Sequence, residues 1–231
     1  MKKTIGIIGG MGPAATVDLF QKIVENTNAH CDREHIHILI DNYPQIPDRT
    51  HAIKEGSNAP VSYILEAAGR LEDAGADFLI IPCNTSHYFY DEICAGTSIP
   101  VINMIEETAK WIRNKGYKKV GLFATDGVLS SGVYEKYFKN YGIQLLLPDV
   151  EEQKAVMHLI YDEIKAGKEP HSDGLNSVIH RMKICGAEAF VLGCTELPIA
   201  FRGRKDELFI DVTAILANAA IEKAGYRLKR R

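Results

Sequence analysis

Two hydrophobic rhythms alternate along this chain. Short, largely apolar runs occupy residues 4–8, 77–82, 99–103, 119–124, 143–147, 186–194 and 208–211, and residues 35–41 alternate between apolar and polar. Between them, apolar residues recur at three- and four-residue spacing over 14–28, 60–74, 86–95, 104–115, 130–140, 150–166, 175–185 and 212–224. The runs predict strands covered on both faces and the spaced stretches predict helices, an alternation that builds α/β layers around mostly parallel sheets.

The pattern also repeats. Residues 75–85, GADFLIIPCNT, return as GAEAFVLGCTE at 186–196, and TIGIIG at 4–9 is echoed by KVGLFA at 119–124. A repeat of this length predicts two similar domains, each an αβα sandwich with a mostly parallel four-stranded sheet. The first should comprise residues 1–102 plus the C-terminal helix within 212–231, and the second residues 103–211, with the active site between them. In each copy a cysteine, Cys83 or Cys194, stands where the buried strand ends. That carboxyl edge is where open α/β sheets take ligands, and the Asn84–Thr85 or Thr195–Glu196 that follows can begin a helix whose free N–H groups lower a thiol's pKa. If the halves face one another about a pseudo-twofold axis, two thiols address one pocket from opposite sides. Such a pair can take a proton from one face of a carbon and return one to the other, inverting a stereocentre.

Composition narrows the partners. A formal net charge of −3 on 231 residues gives no reason to expect nucleic acid or an anionic membrane, and the basic residues at 227–231 suit a solvated helix end. The apolar start is interrupted by Gly9, Gly10, Gly12 and Pro13, unlike a secretory leader, and no run approaches the roughly 18 apolar residues of a membrane span. Five cysteines without C-x-x-C spacing argue against a disulfide framework or zinc knuckle and suit a reducing, cytoplasmic setting, with Cys31, Cys94 and Cys185 as packing residues. Cys83 and His87 have ligand spacing, but no second pair accompanies them, so no metal is expected. The glycines of GIIGGMG lack the G-x-G-x-x-G order of a dinucleotide fold and read instead as a loop that a small ligand can approach closely. Arg49 ends the proline-stiffened loop 42–49 and offers a planar fork suited to a carboxylate, whereas Lys165 reads as a last-turn cation.

GIIGGMGP, NYPQIPDRT, PCNTSH and GCTELP, in this order and spacing, resemble the aspartate/glutamate racemase family, and its aspartate racemase branch most of all. The resemblance covers essentially the whole chain. It implies a racemase that needs no cofactor, acts on a small dicarboxylic amino acid, aspartate or glutamate, and forms a homodimer. It further implies Cys83 and Cys194 as the acid/base pair, with Arg49 and Lys165 on the substrate carboxylates and Met11, Asn84, Thr85, Thr195 and Glu196 around the substrate. A related cysteine-dependent isomerase or decarboxylase of a small dicarboxylate, and a non-catalytic amino-acid-binding homologue, are the competing expectations.

Overall fold

The computed structural model describes residues 2–200 and 209–230. Met1, Leu208 of the last predicted strand and Arg231 of the basic tail lie outside them. Two parallel sheets form the frame. The first joins β1 (Ile5–Gly9), β2 (Ile38–Asn42) and β3 (Phe78–Ile80) in the order β2-β1-β3. The second joins β4 (Lys119–Phe123), β5 (Gln144–Leu146), β6 (Ala189–Leu192) and β7 (Phe209–Asp211) in the order β5-β4-β6-β7.

The first sheet thus has three strands where four were expected. Residues 99–103 contribute one parallel bridge, Leu79 to Val101, held by Leu79 N–H on the Pro100 carbonyl at 2.8 Å and Ile102 N–H on that of Leu79 at 2.9 Å. Pro100 has no N–H to donate, and Asn103 already caps the next helix by accepting from Ile105 and Glu106 N–H, so the segment cannot lengthen into a strand. Asp211 caps the helix after β7 in the same way, through Ala214 N–H at 2.9 Å.

The repeat holds at the level of single hydrogen bonds. Gly75 and Gly186, at φ of 93° and 92°, turn α3 (Ala59–Asp73) and α9 (Asn176–Ile184) into their cysteine strands. The next acidic residue then holds the start of the neighbouring strand. Asp77 accepts from Thr4 N–H at 2.6 Å, and Glu188 from Lys118 and Lys119 N–H at 2.6 and 2.8 Å.

Between the sheets, α11 (Val212–Lys223) packs on both α1 (Pro13–Asn26) and α5 (Met104–Lys115). One apolar cluster runs from Ile5 and Ile7 through Ile105 and Leu216 to Val120 and Val191, tying the two sheets together. The remaining faces carry separate clusters, Ile64, Leu71 and Leu79 on one and Val178, Met182 and Phe190 on the other, and Cys83 belongs to the first of these and Cys194 to the second. Full burial of each such Ile, Leu or Phe contributes about 1.5–3 kcal/mol, so each cysteine follows a strand anchored by buried apolar side chains.

Several helices depart from the periodicity. The expected loop at Arg49 is the start of α2 (Arg49–Lys54), because Asp48 accepts from His51 N–H at 2.8 Å and caps it. Residues 86–95 begin as a 3-10 turn, Thr85–Phe89, before α4 (Tyr90–Ala95). The stretch 130–140 belongs to two helices, α6 (Asp126–Ser131) and α7 (Val133–Asn140), divided at Gly132 with φ 65°. After α8 (Val150–His158) the chain widens into a π-helical turn, Leu159–Ile164, instead of continuing as α-helix to 166. Among the described residues no helix is long and apolar enough to cross a membrane.

Candidate active site

The carboxyl edges of β3 and β6 open onto one small cavity. Cys83 and Cys194 both line it, with 4% and 6% of their surface exposed. Met11, Arg49, Asn84, Thr85, Lys165, Thr195 and Glu196 line it too, so every residue foreseen for the site lies at this one place. Thr195 Oγ1 donates to the Pro82 carbonyl at 3.2 Å and ties the two cysteine turns together across the sheets.

On the Cys83 side the partner is cationic. Arg49 lies next to Cys83 with its guanidinium anchored by backbone: Nη1 donates to the carbonyls of Ile46 and Pro47 at 3.1 and 3.0 Å and Nη2 to that of Met11 at 3.4 Å. Its buried Nε has no protein partner. Burial opposes the charge, but the negative character of Cys83 and Asp48 outweighs it and raises the Arg49 pKa. His87 fixes the turn from behind. Its Nδ1 meets the Cys83 carbonyl at 2.9 Å and its Nε2 accepts from Met104 N–H at 3.1 Å. Burial lowers its pKa to about 4, so it is a neutral peg with both ring nitrogens engaged.

On the Cys194 side the nearest partner is anionic. Cys194 Sγ donates to Glu196 Oε2 at 2.9 Å, and Glu196 Oε1 is paired with Lys165 Nζ at 2.5 Å. Burial, and then the Glu196 charge, push the Cys194 pKa well up, and Lys165 offsets this only in part. The lowered thiol pKa expected from a following helix is therefore reversed at Cys194. The helix there, α10 (Leu197–Ala200), is a single turn, and a carboxylate stands closer to the sulfur than any helix dipole. Lys165 itself is raised to about 12: burial lowers it, but Glu196 and both cysteines more than compensate. The π turn before it brings both Tyr161 and Lys165 to the cavity.

Sequence reasoning passed over Asp48, Thr50, Thr125 and Tyr161, which complete the lining. Hydroxyls link the halves here, Thr85 to Thr125 at 3.3 Å, Thr50 to Thr125 at 3.5 Å and Tyr161 to Thr50 at 3.5 Å. A signal existed for Thr125, which follows β4 as Met11 follows β1. The glycine loop also works differently from the expectation. A Cβ on Gly10 would lie 2.4 Å from the Tyr43 backbone and one on Gly9 2.5 Å from the Thr16 side chain, so these bare backbones admit other parts of the protein rather than ligand.

This fold is that of a known class. The model of the Asp/Glu/Hydantoin racemase family matches residues 8–220, and the chain belongs to that family of isomerases. Among solved structures it is similar to Picrophilus torridus aspartate racemase, with a TM-score of 0.88 and 34% identity over 98% of this chain and 96% of that one. An aspartate racemase homologue from Pyrococcus horikoshii superposes with a TM-score of 0.80 at 26% identity, covering 97% of this chain and 100% of that one. In sequence it is 30% identical to the broad specificity amino-acid racemase RacX of Bacillus subtilis, over 94% of this chain and 96% of the relative.

Proposed function

We propose that the protein racemises a short dicarboxylic amino acid, aspartate foremost, by proton transfer between Cys83 and Cys194 without a cofactor. The observation that carries this reading is the unequal pair of buried thiols on one cavity, one beside a guanidinium and the other hydrogen-bonded to a carboxylate. A cation supports a thiolate, whereas Glu196 keeps the Cys194 proton in place. Cys83 thiolate takes the α-proton, and the electron pair of the broken C–H bond passes into the substrate carboxylate as an enediolate. Cys194 then gives its proton to the opposite face and is left as thiolate. No atom is gained or lost, and the enzyme ends the turnover in the mirror protonation state.

The difficulty is the α-proton, which is far less acidic than a thiol, so stabilising the carbanion must supply most of the rate. Arg49 and Lys165 provide two positive charges in a cavity walled by buried residues, where such contacts contribute several kcal/mol each. Two cations also suit two carboxylates. The test is incubation of L- and D-aspartate separately in D₂O, followed by chiral separation and mass analysis, with glutamate, asparagine and alanine in parallel. Aspartate should approach an equal mixture from either side with deuterium at Cα, unaffected by EDTA or hydroxylamine. A protein that exchanges the α-proton of no amino acid, or that needs added metal or pyridoxal phosphate, overturns the reading.

A further inference from the structure

Asn84 is 2% exposed, lines the cavity and uses only half of its amide. Its Oδ1 accepts from the Tyr134 hydroxyl at 2.6 Å, while its Nδ2 is buried with no protein partner. A buried amide nitrogen left unpaired costs about 1–3 kcal/mol, so this donor calls for an acceptor from outside the protein. Tyr134 lies in α7, in the second half of the chain, and is completely buried against Phe138, with ring centroids 5.2 Å apart. It reaches across to an amide that follows Cys83 in the first half.

An asparagine amide can turn over and exchange its oxygen and nitrogen, and only its partners decide which one the ligand meets. With Oδ1 toward the cavity, Asn84 would set an acceptor against a carboxylate. With Nδ2 there, it offers two N–H groups. We infer that Tyr134 is a positioning residue that locks the Asn84 amide with its nitrogen toward the substrate, making Asn84 a carboxylate donor alongside Arg49 and Lys165. Burial raises the Tyr134 pKa far above working pH, so the phenol keeps its proton, and an amide turned over would donate to the phenol and take away the acceptor that Oδ1 gives that proton. The inference rests on the dicarboxylate reading and assigns the amide orientation on which it depends.

The test uses the full chain with Tyr134→Phe, Asn84→Ala and the double variant, titrated with succinate, a dicarboxylate that cannot be racemised, and assayed with aspartate. Tyr134→Phe should weaken succinate and raise the aspartate KM about tenfold, the scale of one hydrogen bond to a charged group, with kcat within about threefold of the parent. In the Asn84→Ala background the same substitution should change neither, because Tyr134 then has no amide to hold. Equal weakening with and without Asn84, or no weakening at all, overturns the inference. Should Tyr134→Phe fold poorly, the side-chain amide resonance missing from Asn84→Ala can be followed in the unaltered protein. It should shift as succinate is added, and an unmoved resonance overturns the assignment. A parent protein that binds neither succinate nor aspartate sinks the dicarboxylate reading itself, a distinct result from a parent that binds both while Tyr134→Phe matches it.

Discussion

Cys83 and Cys194 occupy equivalent places in two copies of one unit, and the copies agree down to the glycine that opens each strand and the carboxylate that secures its neighbour. What differs is what each sulfur meets. Arg49 stands at the first and Glu196, backed by Lys165, at the second. Duplication by itself would leave the resting proton equally shared between two like thiols, with neither favoured as base. The asymmetry of the neighbours supplies the difference that the symmetry of the backbone lacks.

The sharpest way to break this comparison is to remove one sulfur at a time. Cys83→Ser and Cys194→Ser should each cut racemisation by about a hundred- to ten-thousandfold, the usual contribution of a positioned acid or base. Each variant should still wash deuterium into one enantiomer slowly and without inversion, and the two should prefer opposite enantiomers. Exchange of the same enantiomer by both variants would mean that the thiols do not serve opposite faces.

Neutralising the cations tests the two ends separately. Arg49→Gln and Lys165→Gln should each lower kcat/KM for aspartate by about a hundredfold, the scale of one preorganised charge contact. Arg49→Gln, which removes the charge beside Cys83, should also slow alkylation of Cys83 by iodoacetamide at pH 7.5, and by more than Lys165→Gln does. Equal effects on Cys83 from both would dissolve the pairing of Arg49 with this thiol.

A smaller change is expected from Glu196→Gln. The carboxylate favours the protonated thiol, so its removal should move the pH midpoint of Cys194 alkylation downward by about one unit, or roughly tenfold more thiolate at a given pH. Lys165 should fall from its raised value in the same variant, since the charge that holds it up is gone. An unmoved Cys194 midpoint would assign its raised pKa to burial alone.

The smallest effect concerns the framework. Backbone N–H bonds from Lys118 and Lys119 lower the Glu188 pKa, so this group stabilises the fold at neutral pH and loses that contribution as pH falls below the ordinary carboxylate range near 4.5. Because Glu188 is exposed, Glu188→Gln should cost no more than about 1 kcal/mol in urea unfolding at pH 7. The gap from the parent should close near pH 3. Asp77→Asn, which removes one such bond instead of two, should cost less.

Hydrophobic pattern and repeat alone determined that this chain builds two parallel α/β layers and ends a buried strand in each with a cysteine. Those features depend on contacts a few residues apart, which periodicity and a Gly-Ala turn record faithfully. Helix α5 was legible to the residue, because Asn103 caps it and Gly116, at φ 84°, ends it. The tertiary structure decided the rest. How the sheets face each other depends on the shared packing of α1, α5 and α11, and that angle brings Tyr134, Thr125 and Tyr161 to residues far away in the chain. The π turn that carries Lys165 inward looks in sequence like an ordinary helix, since one extra residue per turn leaves no compositional mark. The charge at each sulfur was equally hidden. Arg49 is 34 residues from Cys83, and only the folded chain sets it beside that thiol while Glu196, two residues from Cys194, turns its carboxylate back onto the other.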